Sequence, residues 1–449
     1  MQKADYDVLV VGAGPTGSNT ARLLALQGWK VLLVEEHPQV GQPVQCAGLV
    51  TPRTFDHTPF PIGDLHQNDL RGGLIVAPDG TQVEFVSTAV QAQAMDRARF
   101  DQRCAEFAVR AGVELRVATK AVGALRDPAG ITVTLQRLGL RSTVRVRLLV
   151  GADGIRGSVA RWFDFPPVDE IVSAYEAELA GCHIPEGRGH VIPMFSGTAQ
   201  APGFFSWIIP VGGDRTRTGL AVAPGMNEQS ARAYYERMFT DPQSATYLAG
   251  AKPTYLIIGG IPLGLRKRLV DDRVLLVGDA AGMAKPTSGG GIYMGLVGSE
   301  HLAEVAGRGL ATDALSRGDL LPYERRVRRT IARELRKGTL LRALYKRFTD
   351  ADFNRLARLL CRPRAKAVIE RVGDIDYPSR LMLPLLWAEP RLAGLFLKVV
   401  LRAEPPERSA RAAALRPATS HGIQGIKGTN LVSEDSVDSA AGPSKEVVH

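Results

Sequence analysis

VLVVGAGPTG, residues 8–17, decides the fold. A short apolar run that reads as a buried strand leads into Gly12, Gly14 and Gly17, spaced G-x-G-x-x-G. The next residues, SNTARLLALQGW (18–29), carry the apolar spacing of a helix. A second strand, KVLLVEE (30–36), ends in Glu35 and Glu36. Together these make one βαβ unit with an acid closing its second strand. The glycines permit a tight turn and let the backbone approach a pyrophosphate, which rests on the N–H groups of the helix start, where Pro15 presets the first turn and Thr16 offers an N–H. Glu35, with Glu36 beside it, is placed to accept hydrogen bonds from ribose hydroxyls. The pattern predicts a bound dinucleotide.

A distant stretch, VLLVGDAAGMAKPTSGGGIYMG (274–295), selects among dinucleotides. It is another buried strand, ending in Gly278 and Asp279, followed by Pro286, by Gly289, Gly290 and Gly291, and by a helical run from Ile292. An aspartate at a strand's carboxyl end with glycines opening the next helix suits a polyol chain and a flat ring needing close backbone contact. NAD has no ribityl chain; FAD has one. The pattern resembles the G-D motif of flavoproteins whose FAD-binding region is split along the chain. LLVGADGIRGSVAR (148–161) resembles their D-G motif, with Asp153 and Gly154. FAD is the expected cofactor.

The 449 residues, 45% hydrophobic, allow a large core and two or three domains. No apolar run reaches the length of about 18 residues that a spanning helix needs. The N-terminus reaches its first strand within about six residues and carries no cleavage-site pattern, which points to a cytoplasmic protein. Cys46, Cys104, Cys182 and Cys361 lie far apart without C-x-x-C or paired histidines, so neither a disulfide frame nor a metal site is expected. The net charge of +10 is concentrated: Tyr323–Arg371 holds 16 Lys and Arg against 5 Asp and Glu, a net +11. Leucines alternate with arginines there, a pattern that fits a solvated helix face or an anionic membrane surface at the inner face of the membrane. Interleaved aromatics and nucleic-acid motifs are missing, so no nucleic-acid partner is expected. No sequence feature bears on oligomeric state.

The expected fold class is α/β (α+β). Residues 1–165 and 270–320 form a Rossmann-like FAD-binding domain built from separated segments, interrupted by loops that contribute to the substrate site. Residues 166–269, with short runs such as AYEAELAG and FFSWIIPV, form an antiparallel substrate sheet. A helical region follows at 321–404, and 405–449, rich in Ala, Ser and Pro, reads as a disordered tail.

Several motifs resemble the geranylgeranyl reductase family of FAD enzymes, which share the aromatic-hydroxylase fold and saturate isoprenoid double bonds. GDAAGMAKPTSGGGI matches that family's G-D region, with Gly282 where aromatic hydroxylases tend to carry His. PVQCAGLV (43–50) resembles its cysteine loop, and MDRARFD (95–101) places Arg97 where these flavoproteins contact the cofactor. PGFFSWIIP (202–210) resembles its aromatic-x-Trp-x-Phe-Pro motif. Ile209 stands where the family has Phe, and flavin halogenases favour Trp-x-Trp-x-Ile-Pro.

The resemblance implies hydride transfer from reduced FAD to an isoprenoid lipid, quinone or chlorophyll-type substrate, coupled to protonation. NADPH or a ferredoxin-like donor would supply the electrons. Phe205, Trp207 and Ile209 would line the substrate cavity, with alternation setting Phe205 and Trp207 opposite Ser206 and Ile208. Cys46 and Ala47 would approach the flavin ring. Cys46 is the one side-chain acid expected there, and Tyr293 is a second proton-source candidate. A monooxygenase or halogenase of the same fold, or an FAD-binding electron carrier, are the alternatives.

Overall fold

Strand β1 (Tyr6–Val11) sits inside a parallel array, between Leu140–Gly151 on one side and β2 (Val31–Val34) on the other. Val274–Leu276 extends the array beyond Leu140–Gly151, and Glu114–Arg116 extends it beyond β2. Helices and the strands Thr119–Asp127 and Gly130–Arg137 share one core with the array, which explains why its strands read as unbroken apolar runs; Val8, Leu9 and Val10 are fully buried. These relations come from a computed structural model that describes residues 4–402. The expectation for 405–449 lies outside the described residues. Helix α1 (Pro15–Ala25) packs against the long helix Ile292–Thr312, so the first and third motifs meet through their helices. Thr119–Asp127 and Gly130–Arg137 form an antiparallel meander with Leu140–Gly151.

A second sheet has seven strands, in the order Lys252–Leu263, Glu170–Ala180, Arg215–Val222, Phe205–Gly212, Val191–Ser196, Gly72–Val76 and Gln82–Val86. All neighbours are antiparallel except Val191–Ser196 with Gly72–Val76. Its last two strands come from inside the segment 1–165, so this sheet draws on chain that precedes the Asp153 motif. One face packs Tyr175, Ala177, Ile208, Leu220 and Val222 against Tyr234 and Tyr235 of the helix Ala231–Arg237. The opposite face carries Phe205, Trp207 and Ile209, and packs towards Ala47, Leu49 and Ala284.

Seven helices run from Ile292 to Leu401, the first of them packed on α1. Buried ion pairs tie them to the rest. Arg342 of the helix Ala332–Tyr345 grips both oxygens of Glu170 at 2.7 and 2.9 Å and lies over the Phe204 ring. The apolar run 381–401 forms two helices, Met382–Ala388 and Arg391–Leu401, interrupted at Glu389 and Pro390. Among the described residues no helix is long and apolar enough to cross a membrane.

Candidate active site

The glycine loop after β1 divides into positions that serve the fold and one that faces outward. Gly12 has φ +100°, and a Cβ there would lie 3.1 Å from the Asp153 Cα and overlap the Ala152 carbonyl. A Cβ on Gly17 would overlap the carbonyl of Gly12 and sit 3.1 Å from Ala152 Cβ. Gly14, the N-cap of α1, meets nothing within 4 Å, and no side chain caps the helix. Uncapped N–H groups behind an open glycine make a surface suited to a pyrophosphate.

Thr16 joins the two ends of the sequence. Its side chain lies 3.2 Å from a Cβ placed on Gly278, which has φ +66°, and it blocks any side chain at Gly295. Glu35 turns inward: its Oε2 accepts from the Ala13 N–H at 2.9 Å, and its Oε1 accepts from the His37 N–H at 3.1 Å. Glu36 does not share that position. Successive side chains at a strand end point apart, and Glu36 pairs with Lys120 at 2.7 Å on an exposed surface. Asp153 caps a short helix, accepting from the Val159 N–H at 3.0 Å, while its buried Oδ1 has no partner. Burial raises its pKa. Gly154 beside it has φ +68° and open space around it.

A second group surrounds Asp279. Asp96 caps helix α2 (Arg97–Arg110), which fixes Arg97 at its first turn. Arg97 then bonds both oxygens of Asp101, at 2.7 and 3.1 Å, and also lies against Cys46. Burial opposes the guanidinium's charge, but Asp101 and Cys46 outweigh it and push the pKa up. Asp279 opens on space that water can enter, yet dense surrounding protein raises its pKa, with the charge of Arg97 opposing. A carboxylate that is both accessible and deep is the mark of a recess, and a polyol hydroxyl there would find a strong acceptor. Gly291 is required beside it, since a Cβ would lie 2.9 Å from its Oδ1. Gly289, with φ +76°, approaches Ile261, and Gly290 lies against the Lys285 side chain. Pro286 packs under Gly338, and Ile292 packs near Val50 and Phe60.

Tyr293 is placed by its partners: its hydroxyl lies 3.1 Å from that of Tyr377, and its ring packs edge-on against His57. Burial raises its pKa, as does the Tyr377 hydroxyl. Phe205 stacks on Phe204 at 4.6 Å and meets Trp207 edge-on at 5.8 Å. Ile209 is buried among Leu70, Ala92, Ile192 and Val211. Ile208 packs on the other face and Ser206 is fully buried, as strand alternation required.

Three groups here were not found in the sequence. Lys285, 5% exposed, donates to Asp376 Oδ1 at 2.8 Å and to the Ile375 carbonyl at 3.1 Å. Thr51 donates to the other oxygen of Asp376 at 2.5 Å. Arg217 reaches from the antiparallel sheet to the carbonyls of Ala47 and Met95, at 2.7 and 2.9 Å. It therefore holds the Cys46 loop against the Trp207 face. Glu176 accepts a hydrogen bond from the Trp207 indole N–H at 2.8 Å. Glu176 is an acid outside the Cys46 loop, on the strand Glu170–Ala180 and buried within the wall. Alternation in AYEAELAG carried the signal, since it sets Ala174, Glu176 and Glu178 on one face.

Known proteins match this geometry. Residues 77–305 match the family model described as FAD binding domain, and residues 7–65 the one described as FAD dependent oxidoreductase. Digeranylgeranylglycerophospholipid reductase 1 of Methanothermobacter thermautotrophicus is 32% identical over 79% of this chain and 90% of its own. The digeranylgeranylglycerophospholipid reductase of Methanocaldococcus jannaschii is 30% identical over the same shares. A geranylgeranyl bacteriochlorophyll reductase-like protein from Thermoplasma acidophilum superposes with a TM-score of 0.78 at 20% identity, covering 88% of this chain and 99% of its own. The flavin-dependent halogenase CmlS shares the fold at a TM-score of 0.64 and 19% identity, covering 89% of this chain and 78% of its own.

Fold and matches together define an FAD-dependent oxidoreductase. Within that class, the chain belongs to the geranylgeranyl reductase family.

Proposed function

We propose that this enzyme saturates geranylgeranyl-type double bonds of a lipid, quinone or chlorophyll-type substrate. The observation that carries the reading is the aromatic wall. Phe205 and Trp207 face the loops holding Cys46–Gly48 and Ala284, with apolar neighbours on both sides. Such a wall accepts an isoprenoid chain and excludes the water that would quench a developing carbocation. The relatives that carry lipid-reductase names support the same substrate class. Against the halogenase alternative stands the single tryptophan of the Phe-Ser-Trp-Ile-Ile-Pro stretch.

In this reading Gly14, Pro15, Thr16 and Gly17 receive the pyrophosphate of FAD, and Glu35 the ribose. Asp279 takes the ribityl chain, and Gly289–Ile292 and Ala47 frame the ring. Arg97 fixes Cys46 and the field at Asp279, while Asp153 and Gly154 brace the glycine loop from behind. Reduced flavin supplies the hydride. Cys46 and Tyr293 are the candidates for moving the accompanying proton, and NADPH or a ferredoxin-like donor for supplying electrons.

The substrate class also gives the outer surface a role. Trp387 is 89% exposed and Leu383 79%, on the helix Met382–Ala388. Arg325, Arg329, Arg333, Arg336 and Lys337 recur at about one-turn spacing and are exposed. This combination suits peripheral binding to anionic lipid. Vesicle sedimentation at low salt should carry the protein down with anionic but not neutral bilayers.

The central test is anaerobic. Dithionite-reduced enzyme mixed with a geranylgeranyl phospholipid or quinone should yield product gaining two hydrogens per double bond. A product gaining oxygen only when O₂ is admitted would select a monooxygenase and overturn the reading.

A further inference from the structure

Glu176 occupies an unusual place in the substrate wall. In the sheet register it lies opposite Gly219, and Gly219 in turn lies opposite Trp207. A Cβ on Gly219 would sit 2.7 Å from the Glu176 Cβ, so the central strand offers no side chain at this point. Glu176 and Trp207 therefore reach across it, and the indole N–H donates to Oε2. The other oxygen, Oε1, is buried and has no hydrogen-bond partner. The side chain as a whole is 3% exposed.

Nearby charges do not neutralise it. Arg217, on the adjacent strand, is committed to Glu178, Gln67 and the carbonyls of Ala47 and Met95. Glu178, on the same strand, adds like charge. Behind the sheet stands Tyr235, whose own pKa is pushed up by burial. Burial accordingly raises Glu176 to about 7, with the Trp207 bond and Arg217 restraining the rise and Glu178 adding to it. A buried carboxylate with no ion-pair partner, bonded only to the edge of an aromatic ring, costs stability unless a ligand supplies positive charge.

We propose that Glu176 is a positioning residue that fixes Trp207 and, once ionised, serves as the buried counter-charge for positive charge developing on the isoprenoid chain. The proposal rests on the reductase reading above. An isolated alkene accepts hydride only as it becomes cationic. The half-buried Trp207 ring presents a π-face to such a cation, and an anionic acceptor on its N–H strengthens that face. The wall thus carries its negative charge at the N–H edge of the ring, tied up in the indole hydrogen bond.

The test needs no turnover. A trimethylammonium-terminated geranylgeranyl chain carries a permanent positive charge, and its tert-butyl isostere carries none. In FAD-loaded wild type, the ammonium probe should bind on the order of tenfold tighter at pH 8 than at pH 6, with the isostere unchanged. Glu176→Gln keeps an acceptor for the indole and should bind the ammonium probe equally at both pH values. In ¹⁵N-labelled protein the Trp207 indole resonance, assigned by Trp207→Phe, should titrate near neutrality in wild type and not in Glu176→Gln. Tighter ammonium binding at low pH, the same pH dependence in Glu176→Gln, or an indole signal that does not titrate would each overturn the proposal. The reductase reading fails separately. An enzyme that binds the cation in this way but saturates no geranylgeranyl compound loses that reading and keeps the counter-charge.

Discussion

The three glycines of the first loop make different contacts, and alanine at each should therefore fail differently. At Gly14 the backbone is ordinary, with φ −63° and ψ 175°, and a Cβ meets no protein atom within 4 Å. Alanine there loses some N-cap preference and gains from a stiffer unfolded chain, two effects of about 1 kcal/mol or less and of opposite sign. The apoprotein should keep its stability within about 1 kcal/mol. The same Cβ projects from the loop expected to receive the pyrophosphate, so FAD affinity should fall at least about tenfold, or about 1.4 kcal/mol.

Gly17 reverses the pattern. Its Cβ would overlap the Gly12 carbonyl and press on Ala152, so α1 must move away from β1 at a cost of about 1–3 kcal/mol or more. Gly12→Ala adds backbone strain at φ +100° to a similar overlap. Urea unfolding of flavin-stripped protein measures the first quantity, and FAD titration by fluorescence quenching the second. Gly14→Ala that binds FAD like wild type would refute the placement of the dinucleotide. Gly17→Ala with wild-type apoprotein stability would refute the packing.

Other outcomes follow from the buried charges. Asp279→Ala should purify pale, with substoichiometric FAD, because the carboxylate in the recess is lost; a fully yellow variant would contradict its role. Lys285→Met takes the nearer cation from Asp376, which is 1% exposed and keeps Arg53 at 3.6 Å, and should cost about 1.5–3 kcal/mol in urea unfolding. Lys285→Met combined with Asp376→Leu should recover most of that loss, and equal damage in the double variant would show that the pair is not the cause. Glu176 gives a pH signature of defined sign. Its folded pKa of about 7 lies above the ordinary 4.5, so the folded state holds the extra proton between those values. Wild type should therefore lose up to about 3 kcal/mol relative to Glu176→Gln as pH rises from 4.5 to 8. A difference between the two proteins that does not change with pH would sink that account.

Local patterns made the cofactor region legible. Residues 8–36 form one continuous βαβ unit, so glycine spacing, helix periodicity and the closing acid lie within a single window and are set by local backbone geometry. The alternation that separates Trp207 from Ile208 is equally local, because successive strand residues face opposite ways. Tertiary structure decided what depends on neighbours far along the chain. Thr16 meets Gly278 and Gly295 only because α1 packs on the helix Ile292–Thr312. Lys285 finds Asp376 through the fold of the C-terminal helices, and nothing in the residues around either announces a buried pair. Alternation in AYEAELAG sets Glu176 on the face of Ala174 and Glu178, but only the register puts Gly219 between it and Trp207. Sequence alone thus determined that this protein holds a dinucleotide and how its strands alternate, since those follow from neighbouring residues. Which charges lie buried, and which side chains share a cavity, was fixed only when strands and helices distant in sequence came together.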